Sequence, residues 1–283
     1  MLSGSSWSAI RPMVAGVQTG YVEHGAARTF YTTSGKGPAA LFIHAGVADS
    51  RMWRDQMGLD GYRTIAFDQR GFGETDWVPE PYANRTDALA VLDHLEVDQS
   101  VVVGCSNGGE AAMQLAIIAP ERVSGLVLVG TAARGWEPEG GWVEDPLWEE
   151  TVAAFKAGDF DKVVEMDART WLAGPGRSLE DVDPDLLALF TEMDRAPTVT
   201  ESAREEYIVP LEPPTSQQLD RIEAPALVIV GEHDLPNLIE AAHYLASQLS
   251  DRPAVIMEDT AHLPSLERPE EFTQVLSGFL GSL

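Results

Sequence analysis

Ser106, Asp234 and His262 are the residues whose types and surroundings could together carry out nucleophilic acyl transfer. Ser106 is the centre of Gly104-Cys105-Ser106-Asn107-Gly108, directly after the run Val101-Val102-Val103 and before apolar residues at helical spacing (Ala111, Ala112, Leu115, Ala116, Ala119). A strand that becomes a helix within so few residues forces its central residue to positive φ and holds that side chain out over the end of the sheet. Glycines two positions to either side remove β-carbons that would collide in the turn. A serine hydroxyl is too weak an acid to attack a carbonyl unaided, so a histidine must take its proton and a carboxylate must orient that histidine. His262 in Thr260-Ala261-His262-Leu263-Pro264 and Asp234 in Gly231-Glu232-His233-Asp234 each follow a strand-like run. In an open parallel sheet such strand ends converge, and the chain order Ser, Asp, His suits that architecture.

Competing readings exist for several of these residues. Asp259 precedes His262 too closely to face it across a turn as well as a group from another strand end. His233 must point away if Asp234 points into the site. His44, at the end of Ala39–Ile43 and before a glycine, fits a hydrogen-bonded structural histidine better than a base. Cys105 is the sole cysteine; it reads as a buried, inert thiol pointing back into the sheet. One cysteine also excludes an internal disulfide, and the six histidines show no metal-binding spacing, so no metal is expected.

Acyl transfer also needs two backbone N–H groups aimed at the developing oxyanion. One belongs to the residue after the nucleophile, Asn107. The other belongs to the loop after an adjacent strand, where Gly46 is the first candidate, with Ala45 and Val47 as alternatives by register.

The elements that must position these groups follow from apolar patterning. Gly20–His24 and Arg28–Thr32 read as strands joined by a turn at Gly25, and Ala39–Ile43, Arg63–Phe67, Ser100–Val103, Val123–Val129, Ala226–Val230 and Ala254–Met257 as further strands. Helices are expected over Asp49–Met57, Asp87–Leu95, Asn107–Ala119, Leu238–Leu249 and Pro269–Leu280. Asp68-Gln69-Arg70-Gly71-Phe72-Gly73 reads as a tight charged turn whose Asp68 and Arg70 fix the loop by ion pairing and hydrogen bonds. The alternation stops after Thr131. From Ala132 to about Pro214 the composition turns acidic and helical, which predicts an inserted helical cap at 132–214 on a core domain of 1–131 and 215–283. Trp136, Trp171 and Leu235 are candidates to touch substrate. Arg134, Arg169 and Arg177 read as surface ion-pair partners.

The chain has 283 residues, with 45 acidic against 19 basic residues and a formal net charge of -26. That field repels nucleic acid and anionic lipid and argues against both as partners. Its longest apolar runs are strand-sized, so no membrane span is expected. Met1–Gly20 lacks a basic start followed by an apolar core, which makes the cytoplasm the expected location.

Taken together, His44-Ala45-Gly46, the Asp68–Gly73 turn, Gly104–Gly109, Gly231–Asp234, and Ala261–Pro264 with Glu267-Arg268-Pro269-Glu270-Glu271-Phe272 resemble the α/β-hydrolase fold family over about Tyr21 to Leu280. The resemblance implies an α/β fold, a mostly parallel eight-stranded sheet flanked by helices with a helical cap after the sixth strand. It also implies a triad of Ser106, Asp234 and His262 working without a cofactor. Members that open epoxides or remove halides carry aspartate at the elbow, and Ser106 argues against both activities. The capped serine members it resembles include esterases, enol-lactone hydrolases and carbon–carbon hydrolases of ring-cleavage products. The expectation is a hydrolase of a small carboxylic ester or lactone acting through an acyl-enzyme, as a monomer or homodimer. Carbon–carbon cleavage with the same triad, and ligand binding without turnover, are the alternatives.

Overall fold

The computed structural model describes residues 16–143 and 146–283; most of the Met1–Gly20 stretch lies outside them. Strands β1 (Gln18–His24) and β2 (Ala27–Gly35) form an antiparallel hairpin. β3 (Ala39–Ile43), β4 (Arg63–Phe67), β5 (Ser100–Cys105), β6 (Val123–Val129), β7 (Ala226–Gly231) and β8 (Val255–Met257) complete one sheet of order β1-β2-β4-β3-β5-β6-β7-β8. β2 runs antiparallel to β4, and every later pairing is parallel.

The parallel strands read as continuous apolar runs because both faces are covered. Neighbouring residues of β5 therefore enter different cores. Val102 packs with Leu41, Leu128 and helix residues Ala112, Leu115 and Leu245. Val101 and Val103 pack with Phe42, Trp53 and Phe272. The helices concerned are α1 (Asn84–His94), α2 (Asn107–Ile118) and, later in the chain, α6 (Pro236–Leu249), α7 (Pro264–Glu267) and α8 (Pro269–Leu280).

Between β6 and β7 the chain forms α3 (Trp148–Ala157), α4 (Phe160–Asp167), a π-helical turn (Ala168–Ala173) and α5 (Pro184–Glu205). Arg51, ion-paired with Asp49, also reaches Glu192 and so ties α5 to the loop after β3. One expected helix is absent: Asp49–Met57 forms only a 3₁₀ turn over Ser50–Trp53, followed by turns. Its Ser50, Arg51, Met52 and Trp53 are all buried, so the apolar spacing marks burial on every side rather than one helical stripe. No helix among the described residues is long and apolar enough to cross a membrane.

Candidate active site

Ser106 occupies the junction of β5 and α2 with φ 53° and ψ -118°, a conformation that costs a non-glycine residue on the order of 1–3 kcal/mol. The surroundings hold it there. Its N–H donates to the Val129 carbonyl at 2.8 Å, and the Thr131 hydroxyl donates to its carbonyl at 2.8 Å. A β-carbon on Gly104 would lie 2.2 Å from the Gly108 carbonyl oxygen, and one on Gly108 would lie 2.3 Å from that of Ile43. Both glycines are thus required by close backbone approach, and α2 can start directly beneath the serine.

His262 follows β8, and Asp234 follows β7. Asp234 Oδ2 lies 2.9 Å and Oδ1 3.1 Å from His262 Nδ1, with both side chains almost fully buried. The Leu235 N–H donates to Asp234 Oδ1 at 2.8 Å and fixes the carboxylate plane. The His262 N–H donates to the Trp171 carbonyl, and the two rings lie 4.6 Å apart. With Nδ1 facing the carboxylate, the imidazole holds its Nδ1–H tautomer and leaves Nε2 as the basic nitrogen. Asp259 pairs with Arg268 instead, and His233 lies beside Glu232.

The His262 loop is pinned from behind by Glu267 of α7, whose Oε1 accepts the N–H of Ala261 at 3.0 Å and of Leu263 at 3.1 Å. Burial pushes the Glu267 carboxyl up to about 7, against the pull of those two hydrogen bonds. Cys105 is buried, donates weakly to the His262 carbonyl and has its thiol pushed well above the ordinary range, chiefly by burial. It is inert as a nucleophile at neutral pH.

On the opposite side of the elbow, His44 is fully engaged. Its Nε2 accepts the Gln69 N–H at 2.9 Å, and Nδ1 donates to the Ala45 carbonyl at 2.8 Å. Burial lowers its pKa to about 4. Neither nitrogen has a free lone pair, so the ring is structural. The Gln69 amide donates to the His44 carbonyl at 2.7 Å and accepts from Asn107 Nδ2 at 3.4 Å, linking the loop after β3 to the first residue of α2. A β-carbon on Gly46 would stand 3.7 Å from Asn107 Cβ, so the two expected oxyanion donors are neighbours. The Ala45 N–H is directed at Met52 Sδ. Arg70 is paired with Asp87 and Glu80, and Asp68 accepts from the N–H groups of Ser50 and Glu74.

Ser106, His262 and Gly46 open on one cavity of about 440 Å³, whose wall includes Trp171 and Trp148. Trp136 instead stacks on Tyr244 and meets Trp142 edge-on, and Leu235 acts through its hydrogen bond to Asp234. Arg134 and Arg169 pair with Glu212 and Glu165, while Arg177 lies near Glu267. The sequence reading missed Trp148, Phe155, Asp167, Asp194 and Arg204 in the cavity wall; no spacing rule marks them, because the packing of α3, α4 and α5 alone brings them there.

A model of the alpha/beta hydrolase fold matches residues 38–269. The chain belongs to the α/β-hydrolase fold family. It is 25% identical over 250 residues to 3-oxoadipate enol-lactonase 1 of Acinetobacter baylyi, covering 87% of this chain and 90% of that one. It is 27% identical over 278 residues to 2-hydroxymuconate semialdehyde hydrolase of a Pseudomonas species, covering 95% and 92% respectively. A solved N-acyl homoserine lactone degrading enzyme superposes with a TM-score of 0.74 at 27% identity, over 92% of this chain and 100% of that one. The family members it resembles thus include lactonases and a carbon–carbon hydrolase.

Proposed function

We propose that this chain is a serine hydrolase that cleaves a small carboxylic ester or lactone through an acyl-enzyme. The observation that carries the reading is the buried His262–Asp234 pair, 2.9 Å apart, sharing one cavity with a serine held at φ 53°. In this reading His262 Nε2 removes the Ser106 hydroxyl proton as Oγ attacks the carbonyl carbon. The same nitrogen then protonates the departing alkoxide, and the acyl group stays on Oγ. Water, deprotonated by His262, attacks the acyl carbon and restores the serine. Asp234 stabilises the imidazolium present between these steps. The N–H of Asn107 and that of Gly46 receive the oxyanion, each contributing about 3 kcal/mol to the barrier reduction. The segment 132–214 serves as a cap whose helices wall the cavity.

Ser106→Ala should abolish turnover of short acyl esters and small lactones, by about 10⁶-fold in kcat, while leaving the thermal midpoint unchanged or raised through relief of the elbow. Retained turnover in this variant would overturn the serine mechanism. The identity to 2-hydroxymuconate semialdehyde hydrolase supports a second reading, carbon–carbon cleavage with the same residues. Faster turnover of a vinylogous diketo acid than of any ester would establish it in place of the first.

A further inference from the structure

The cavity that holds Ser106 and His262 carries two carboxyls that the acyl-transfer steps do not use, Asp167 at the end of α4 and Asp194 on α5. Asp194 is 2% exposed, and its Oδ2 meets no hydrogen-bond partner among the described residues. Burial pushes its carboxyl up, Asp167 and then Glu201 push it further, and the Thr198 hydroxyl pulls the other way. Two carboxyls this close retain one proton between them. An unpartnered acceptor so deeply buried is rare in a folded protein and calls for a donor from outside the chain.

Charge on the same wall decides what kind of donor. Glu201 and Glu205 add to the two aspartates, against Lys156 and Arg204. Arg204 is already engaged, with Nε on Thr200 Oγ1, Nη2 on the Pro197 carbonyl and its guanidinium 4.3 Å from the centre of the Phe72 ring. A carboxylate on the substrate would meet like charge where water is scarce. A cation would complete the hydrogen bonding of Asp194 and release the proton that the two aspartates retain. The net charge of -26 also enriches cations around the molecule.

We propose that Asp167 and Asp194 form a subsite for a primary ammonium group, so that the substrate is an amino-bearing ester or lactone. This rests on the hydrolase reading above and narrows its substrate class. The ammonium donates to Asp194 Oδ2 and lies against Asp167, and the bond to be cleaved lies at Ser106 in the same cavity. It sets this chain apart from a site that selects a substrate carboxylate.

The test uses matched esters that differ only in a terminal ammonium, hydroxyl, methyl or carboxylate, carried on the acyl side in one series and on the alcohol side in another. In one of the two series, kcat/KM for the ammonium ester should exceed that for the methyl and hydroxyl esters by at least about tenfold, with the carboxylate ester slowest. Asp194→Asn and Asp167→Asn should each remove that preference through KM while methyl-ester turnover persists. In parallel, calorimetry should detect a simple alkylammonium binding to the Ser106→Ala protein and losing at least about tenfold in affinity when Asp194→Asn is added. Ser106-dependent turnover with a flat ranking, or with the hydroxyl or carboxylate ester preferred, overturns the subsite and leaves the hydrolase reading standing. Alkylammonium binding that needs Asp194, in a protein that turns over none of the esters, upholds the subsite and overturns the hydrolase reading. Absence of both overturns both. Thermal midpoints of the asparagine variants at or above the parent's separate loss of preference from loss of fold.

Discussion

Gly130 decides how near the end of β6 can come to the histidine and its carboxylate. It adopts φ +51°, and a β-carbon there would stand 2.9 Å from Asp234 Oδ2 and 3.1 Å from His262 Nδ1. Gly130→Ala should therefore displace the Asp234–His262 pair. The expected loss is on the order of a hundredfold in kcat with little change in KM, and about 1 kcal/mol of stability for the left-handed backbone; steady-state kinetics and thermal unfolding on one preparation check both. Gln69 is a positioning residue of the same kind. Gln69→Leu removes the side-chain links from His44 to Asn107, and it should lower kcat rather than raise KM if those links aim the oxyanion donors. Residues at this scale divide into legible and illegible by one criterion. Ser106, Gly104, Gly108, Asp234 and His262 stand next to strand ends, so their place follows from chain order and the strand-to-helix turn. Asp167 and Asp194 stand on helices where acidic residues are ordinary, and only the packing of α4 against α5 turns them into a buried pair.

At the scale of elements, the loop between β8 and α7 depends on one carboxyl. Glu267 ordinarily titrates near 4.5 and is raised to about 7 in the folded chain, so the folded state binds its proton more tightly than the unfolded state. Its contribution to stability is therefore fully present below about pH 4.5 and is lost as pH rises through about 7. Glu267→Gln keeps an oxygen able to accept both the Ala261 and the Leu263 N–H. The variant should flatten the fall in thermal midpoint between pH 5 and 8 while retaining turnover within a few-fold. A fall as steep as the parent's would assign the pH dependence elsewhere. Strand bounds were the most readable elements. β3, β4 and β6 coincide with their apolar runs because a strand covered on both faces has no polar position within it. The Asp49–Met57 stretch was misread for a related reason: Met52, Trp53, Gln56 and Met57 recur at helical spacing, yet Asp49 caps the Arg51 N–H and starts a 3₁₀ turn sunk into the core.

At the scale of the whole molecule, 45 acidic against 19 basic residues make self-repulsion a standing penalty on compactness. Raising sodium chloride from about 10 mM to about 0.5 M shortens the Debye length well below the molecular radius, so the thermal midpoint should rise by several degrees with unchanged cooperativity. A midpoint indifferent to salt would mean that the acidic residues are locally neutralised by their partners. The sheet carries another consequence, in the order in which a growing polypeptide leaves the ribosome. β5 and its tense serine emerge early, whereas the only parallel neighbour that delivers His262 is β8, a three-residue edge strand made some hundred and fifty residues later. Until that short edge pairs with β7, the nascent chain holds a nucleophile with no proton acceptor and stays chemically silent among the metabolites around it.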